Sequence, residues 1–334
     1  MISQQVYCFI LQAKTPLYFG STEAEKLLTR ANGEPIVSGN AIGGLLREWM
    51  KNNRHLLGID PLDVMGDEET DTDTNRKVFR ESTIQIDDGQ ITYKPKDGKF
   101  PEKKGNAIDP QTGTVRTGHF YDHQYIPAGT EIHFEVSCQF DDSSPHEKWT
   151  KEKLQELMTA WAAAMNQEVV RWGGKKSLRY GVCEVKSIKR KDIDFTSENA
   201  IDDYLFDRRS ASEHPLQPTP LNDAPQIYKM RMEGSFPYGV YMPDFEKELS
   251  DKDDRGEQQV SIPSSSLKGL IRHEVRRLVW KILHHTDQKA VKEENIDDKV
   301  MEITNRLFGS TDQAGIIIFH DLQINGKEVC VKRP

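Results

Sequence analysis

The sequence predicts an α+β protein made of tandem ferredoxin-like domains, the first carrying a long insertion. Three observations predict it. From residue 5 to about residue 190 the apolar periodicities run strand, helix, strand pair, strand, helix, strand, close to a βαββαβ unit. A strand–loop–helix corner then occurs twice. In "IVSGNAIGGLLREWM" (36–50) and "VSIPSSSLKGLIRHEV" (260–275), Ile42, Gly44, Leu45, Leu46 and Arg47 fall opposite Leu267, Gly269, Leu270, Ile271 and Arg272. Between the copies, a polar stretch bearing Asp and Pro at 192–224 reads as a linker, which sets a first domain at 1–191 and a second at 225–334.

Each element has a local reason. Residues 5–13, "QVYCFILQA", have the β-branched and aromatic content of a strand, and the turn "TPLYFGS" follows. From Asn40, the residues Ile42, Leu45, Leu46 and Trp49 recur at i, i+3, i+4 and i+7, one stripe of an amphipathic helix. Residues 60–75 are acidic and poor in apolar side chains, as a solvated loop is. Strands at 78–86 and 90–94 bracket "DDGQ", a hairpin signal. Residues 95–128 are rich in Gly, Pro and Lys without clear periodicity and form the insertion; loops of such length are usually functional or disordered. "TEIHFEVSCQF" alternates as a half-buried strand. Leu154, Leu157, Met158, Trp161 and Met165 give helical spacing, and "RYGVCEVKSIKR" closes the unit as a strand.

The chain then starts again with a strand at 227–233, the serine corner and a helix through about Leu283. "LFGSTDQAGIIIFHDLQI" aligns with "VMGDEETDTDTNRKVFRESTIQI", with Phe308 and Gly309 opposite Met65 and Gly66, and Phe319 and Asp321 opposite Phe79 and Glu81. This second domain is partial: it has no counterpart of the insertion, the second helix or the Gly-rich basic loop.

A formal charge of −8 argues against a protein that coats nucleic acid over its whole surface, but charge is segregated along the chain. Acid gathers at 60–73 and 192–207, whereas "RWGGKKSLRYG" (171–181) holds Arg171, Lys175, Lys176 and Arg179 with no carboxylate. The amino end has no signal-peptide pattern and no apolar run approaches the ~20 residues of a membrane helix, so the expected location is the cytoplasm, with no membrane partner. Cys8, Cys138, Cys183 and Cys330 lie far apart in strand-like contexts and read as reduced core thiols.

The sites follow from these elements. Ser264, Ser265 and Ser266 can cap the helix behind them, and their hydroxyls with the first-turn amides suit a phosphate. Lys268, Arg272 and Arg276, spaced by four, share a helical face. A plain N-cap followed by a solvated basic face explains the same residues. In the first copy Gly39 and Asn40 replace the serines and Gly43 replaces Lys268, leaving Arg47 as the cation, so that corner would bind through backbone. In "GGKKSLRYG", Gly173 and Gly174 let backbone amides approach a ligand, while Lys175, Lys176, Ser177, Arg179 and Tyr180 can touch phosphates or stack on a base. The alternative there is a flexible turn. No GxGxxG or GxxxxGK[ST] pattern occurs, which favours a nucleic acid over a mononucleotide. His119 and His123 are four apart without a helical pattern or a third ligand, so no metal site is expected. His284 and His285 favour the dipole at a helix end.

"TPLYFGS", "GEPIVSGNAIGGLLR", "NAIDPQTGTVRTGHFYDHQYIPAGTEIHFEV" and "GGKKSLRYG", in that order, resemble the RAMP superfamily of CRISPR-associated proteins, most closely the backbone subunits of type III effector complexes. "IPSSSLKGLIRHEV" with "LFGSTDQAGIIIFHDLQI" is similar to the opening of a second such domain. The resemblance implies a modified RRM or ferredoxin-like fold, subunits stacked along a guide RNA, and a role in antiviral defence with guide RNA, target RNA and other effector subunits as partners. It implies that the corners (Gly39, Asn40, Arg47; Ser264 to Ser266, Lys268, Arg272, Arg276) and the loop from Arg171 to Tyr180 hold guide backbone. The insertion near Asp109 to Ile126, with His119, Tyr121, His123 and Tyr125, would be the thumb that interrupts guide–target pairing.

Members that cut target RNA use an aspartate between the first strand and first helix. The first copy offers only Glu23, Glu25 and Glu34 in that loop and is expected not to cut. The second offers Asp244, Asp251, Asp253 and Asp254, which could hold Mg²⁺ or orient the attacking 2′-hydroxyl, or could form a solvated acidic loop. Binding alone needs no cofactor. A further reading is a metal-independent guide-processing ribonuclease using histidine acid–base chemistry. It needs a His near the Gly-rich loop, and the sequence has none between His146 and His214.

Overall fold

The computed structural model describes residues 2–21, 26–70, 77–94, 98–108, 115–141, 149–176, 179–195, 213–222, 230–235, 260–262, 264–286, 294–310 and 315–324. The chain divides into two compact units, one of Met1–Asp109, Thr114–Gly174 and Tyr180–Tyr228, the other of Pro110–Gly113, Lys175–Arg179 and Lys229–Pro334.

The first unit runs β1 (Ile2–Ala13), β2 (Ile36–Val37), α1 (Gly39–Leu57), α2 (Pro61–Met65), β3 (Asp67–Thr70), β4 (Lys77–Arg80), β5 (Ile84–Ile86), β6 (Gly89–Ile91), β7 (Glu102–Ile108), β8 (Val115–Gln124), β9 (Glu131–Asp141), α3 (Lys151–Asn166), β10 (Cys183–Asp194) and β11 (Glu213–Leu216). Its main sheet has the order β11-β10-β1-β9-β6-β2, with β5 also on β9. All these pairings are antiparallel. Taking the β5–β6 path as one strand gives the spatial order fourth, first, third, second, which is ferredoxin-like and bears out the α+β expectation.

Alternation explains the core. Tyr7, Phe9 and Leu11 of β1 pair in register with Val136, Phe134 and Ile132 of β9, and all six are buried. The Phe9 ring stacks on Phe134 at 4.8 Å and meets Trp161 of α3 edge-on at 5.7 Å. Helix α1 adds Ile42, Leu46 and Met50 to the same core. It starts where the Ser38 hydroxyl accepts from the Ala41 amide (3.2 Å) and ends at Gly58, left-handed at φ 63°.

Several sequence expectations change. "DDGQ" makes no hairpin: β5 and β6 both pair with β9, so they form one edge path that breaks at Asp87 and Asp88. Gly89 permits the break, because a Cβ there would meet the Val37 side chain at 2.4 Å. The stretch read as a solvated loop contains α2, whose Asp60 side chain accepts from the Leu62 amide with Pro61 opening the helix, and then β3. The insertion holds an antiparallel hairpin, β7 with β8. The linker contributes β11 to the sheet edge on β10. Met230 and Met232 lie in irregular exposed chain rather than in the predicted strand. No helix among the described residues is long and apolar enough to cross a membrane.

The second unit contains β12 (Val260–Ile262), α4 (Ser264–Thr286), α5 (Glu294–Phe308) and β13 (Leu322–Ile324). Its β12 pairs antiparallel with β13 as β2 pairs with β6. Ile36 and Val37 face Gln90 and Gly89; Ser261 and Ile262 face Gln323 and Leu322. This places Asp321 opposite Asp88, which corrects the sequence alignment that set it against Glu81. Positive-φ glycines close the second helix in both copies, Gly66 at 66° and Gly309 at 86°. Burial differs, however. Ile42, Leu46, Met50, Asn53 and Leu57 on α1 are buried; of their counterparts on α4, Leu267, Ile271 and Val275 are half-buried, and Leu278 and Ile282 are exposed.

Candidate nucleic-acid interface

Three of the sequence motifs converge in the first unit. The Gly174 amide donates to the Tyr18 carbonyl (2.8 Å), the Gly181 amide to Pro16 (2.9 Å) and the Lys14 amide to Val182 (2.8 Å). Leu17 and Ile126 exchange amide–carbonyl bonds, each 2.9 Å, so "TPLYFGS" joins the base of the Gly-rich loop to the base of the β7–β8 hairpin. A Cβ on Gly173, left-handed at φ 72°, would meet the Tyr18 carbonyl oxygen at 2.3 Å. The two glycines therefore serve the close approach of Tyr18, not the approach of a ligand.

Aromatic rings fill this junction. His123 Nε2 lies 3.1 Å from the Tyr180 hydroxyl, and both residues are buried, with 2% and 3% exposed. The Tyr18 ring sits edge-on to His123 at 5.9 Å, and Tyr125 to Tyr180 at 6.3 Å. Tyr180 thus packs against His123 and Tyr125 inside the protein rather than on a base, and His123 is a packing residue at the base of the β7–β8 hairpin. A histidine does stand beside the Gly-rich loop, although sequence order hid it; its burial keeps it from a substrate. Arg171 is also buried, paired with Glu168 Oε2 at 3.6 Å, so it is an internal ion pair and not an exposed phosphate ligand. Lys175, Lys176 and Arg179 are half-buried, and Lys175 and Arg179 hold positive φ, 55° and 64°, without being glycine. Strain of that kind marks a loop whose shape is imposed.

The twin corners match at atomic detail. The Gly39 amide donates to Asp88 Oδ1 at 2.8 Å, and the Ser264 amide to Asp321 Oδ1 at 2.7 Å. Both donors are buried, and at Gly39 a Cβ would fall 2.2 Å from the Ile86 carbonyl oxygen. The chain's own carboxylates thus take the first amide of each helix, which corrects the expectation that the Gly39 and Ser264 amides cradle phosphate. Asp88 and Asp321 are the residues the sequence reading missed. The arginines correspond too: Arg47 Nη2 donates to the Met65 carbonyl (2.8 Å) and Arg272 Nη2 to Asn305 Oδ1 (2.8 Å), each tying the first helix to the second.

What remains open lies on the helix flanks. Asn40 and Ser266 are exposed, and Arg276 is exposed beyond half-buried Lys268 and Arg272. Burial and then the Arg272 guanidinium hold the Lys268 ammonium below its ordinary pKa; burial and then Arg276 do the same to Arg272. This is a row of cations that raise one another's energy, the electrostatic condition an incoming polyanion relieves. By contrast, the face of β1 and β9 turned away from Phe9 and Phe134 carries buried Val6 and half-buried Cys8 and Ile10 beside half-buried Glu131, His133 and Glu135, with Cys8 Sγ donating to Glu135 (3.3 Å). An RRM stacks bases on aromatics there. This face of β1 and β9 has no Phe, Tyr or Trp.

Ser177 and the candidate aspartates Asp244, Asp251, Asp253 and Asp254 lie outside the described residues, as do the side chains of His119, Tyr121 and Ser265.

A family model described as the RAMP superfamily matches residues 10–184 and 243–333. No curated protein matches the chain. Among solved structures, the chain is similar to one described as the cryo-EM structure of the Type III-B Cmr-beta bound to cognate target RNA, at 14% identity with a TM-score of 0.41. That match covers 56% of this chain and 60% of the other, so it spans less than two thirds of that chain's length. The two segments matched by the family model take in well over half of the 334 residues, and the chain belongs to the RAMP superfamily.

Proposed function

We propose that the chain is a guide-RNA-binding backbone subunit of a type III CRISPR effector. Its two RAMP-like domains, 1–191 and 225–334 joined by 192–224, would take neighbouring positions along one RNA. The observation that carries this reading is the repeated corner: each family-matched segment contains one, and each is followed on the helix flank by cations rather than by an enzyme's cluster of acids and bases. The proposed RNA contacts are Asn40 and Arg47 in the first copy, Ser266, Lys268, Arg272 and Arg276 in the second, and Lys175, Lys176 and Arg179 in the loop. The test is binding of a labelled single-stranded RNA by the full chain, alone and with its partner subunits, across a salt series. Log affinity should fall against log salt with a slope of about −0.7 for each phosphate neutralised. Absence of salt-sensitive affinity in every combination overturns the proposal.

A second reading adds target-RNA cleavage with Mg²⁺, favoured by one contrast: the loop before the second corner carries four aspartates where the first copy has only glutamates. Single alanine substitutions at Asp244, Asp251, Asp253 and Asp254 in the assembled complex should abolish one cut and leave binding intact. If all four variants still cut, that reading fails.

A further inference from the structure

The cations on α4 continue into an aromatic pair. Lys268, Arg272, Arg276, Trp280 and His284 follow one another at intervals of four along the helix. At ~1.5 Å per residue this row is ~24 Å long, with side chains ~6 Å apart along the axis. At its far end the Trp280 and His284 rings stack, centroids 4.8 Å apart and 24° between planes. Trp280 nevertheless stays 43% exposed, whereas Trp49, Trp149, Trp161 and Trp172 are all buried.

We propose that Trp280, held by His284, is a base-stacking platform at the end of the α4 cation row, so that this helix takes a single-stranded polynucleotide by phosphates at Lys268, Arg272 and Arg276 and by one base on the indole. The inference rests on the RNA-binding reading above and assigns it a base contact. Cations in line with an exposed aromatic are how sequence-tolerant single-strand sites are built, because every base has a π face. The imidazole fixes the indole before the ligand arrives, which lowers the entropy lost on stacking. An apolar protein partner fits the indole less well. The apolar stripe of α4 runs through Leu267, Ile271, Val275, Leu278 and Ile282, and Trp280 lies about 180° round the helix from its centre at 3.6 residues per turn. The first copy repeats the row in weaker form. Arg47, Lys51 and His55 stand at the positions of Arg272, Arg276 and Trp280, and Lys51 and His55 are exposed.

The experiment uses the full chain, a labelled oligouridine about 12 nucleotides long, and the variants Trp280→Ala, Trp280→Phe and Lys268→Ala. Acrylamide should quench the exposed Trp280, and bound RNA should shield it; Trp280→Phe removes the quenchable signal. Trp280→Ala should weaken binding roughly 5- to 100-fold with an unchanged salt slope, and Trp280→Phe should retain most of the affinity. Lys268→Ala should lower the slope by about 0.7. If RNA binds with a salt slope but neither shields Trp280 nor responds to Trp280→Ala, this inference is wrong and RNA binding stands. If no RNA binds, both fall. If Trp280 is shielded only by a partner protein added without RNA, the platform is a protein interface and the inference is overturned.

Discussion

Replacing Asp88 or Asp321 by alanine tests the account of the twin corners. In each copy a carboxylate oxygen accepts from the first helical amide, at 2.8 Å on Gly39 and 2.7 Å on Ser264. The donors are buried and the aspartates exposed. Water can reach the acceptor side but cannot fully replace the bond, so the loss should resemble that of a helix cap, about 1 kcal/mol. For the unit of Asp88, roughly 200 residues, this is about 2–4 °C in Tm, and for the smaller unit of Asp321, on the order of 100 residues, about 4–8 °C. Asp88→Ala is read by tryptophan fluorescence, because Trp49, Trp149, Trp161 and Trp172 all lie in its unit; Asp321→Ala is read by far-UV circular dichroism of its helices. Asparagine keeps an acceptor and should recover most of each loss. RNA affinity of both variants should stay within about threefold of wild type, under ~0.7 kcal/mol. An alanine variant with unchanged stability and affinity raised tenfold or more would refute the reasoning, because it would show the amide to be a phosphate site that the aspartate merely obstructs.

Further expectations concern packing, charge and thiols. Leu57 is 2% exposed and its counterpart Ile282 is 60% exposed. Leu57→Ala should therefore cost about 2–5 kcal/mol and Ile282→Ala less than about 1 kcal/mol in urea unfolding; equal costs would mean that α4 is covered as α1 is. Lys268 has its pKa lowered by burial and then by Arg272, so folding holds its ammonium in a less favourable setting than water does. Lys268→Leu should not lower stability at neutral pH, while the salt slope for RNA falls by about 0.7. Burial, with Glu135 beside it, pushes the Cys8 thiol up to about 12, and burial pushes Cys138 to about 11 and Cys183 also upward. In a Cys330→Ser background these three should resist alkylation near pH 8 until urea unfolds the chain. Because their folded pKa values exceed the unfolded ones, the stability they contribute is complete below about pH 8.5 and declines as pH rises toward 11–12. Rapid labelling of the native chain would count against the burial of these thiols on β1, β9 and β10.

What the sequence made legible was periodic and local. The stripe of α1, the alternation of β1 and β9, the helix at α3 and the match of the two corners all follow from spacing within a few turns, and all recur in the structure. What it hid depends on partners far along the chain. "DDGQ" has the same composition whether the strand reverses or merely breaks, and the deciding bond joins Asp88 to Gly39, 49 residues away. His123 reaches Tyr180 across 57 positions. Two misses had local signals: Asp60–Pro61 opens α2 with a cap and a first-turn proline, and Ile296, Val300, Thr304 and Phe308, four apart, mark the buried face of α5. The row beyond Arg276 went unread because an aromatic in an apolar helix is ordinarily core; its place opposite the apolar stripe and its exposure separate Trp280 from that role.

The repeat also sorts the cations by what they can be asked to do. Arg47 and Arg272 each bond the end of the following helix, so replacing either perturbs folding and binding together and cannot apportion affinity. The informative positions are one and two turns away, where the copies differ and no such tie is present among the described residues: Gly43 against Lys268, Lys51 against Arg276, His55 against Trp280. Exchanging these three pairs moves one charge and one indole between helices whose termini are closed in the same way by aspartate. If polynucleotide affinity resides in the flanking rows, giving α1 the residues of α4 should strengthen RNA binding and steepen its salt slope by about 0.7, while the reverse exchange weakens both. If it resides in the helix termini, neither exchange should move the slope.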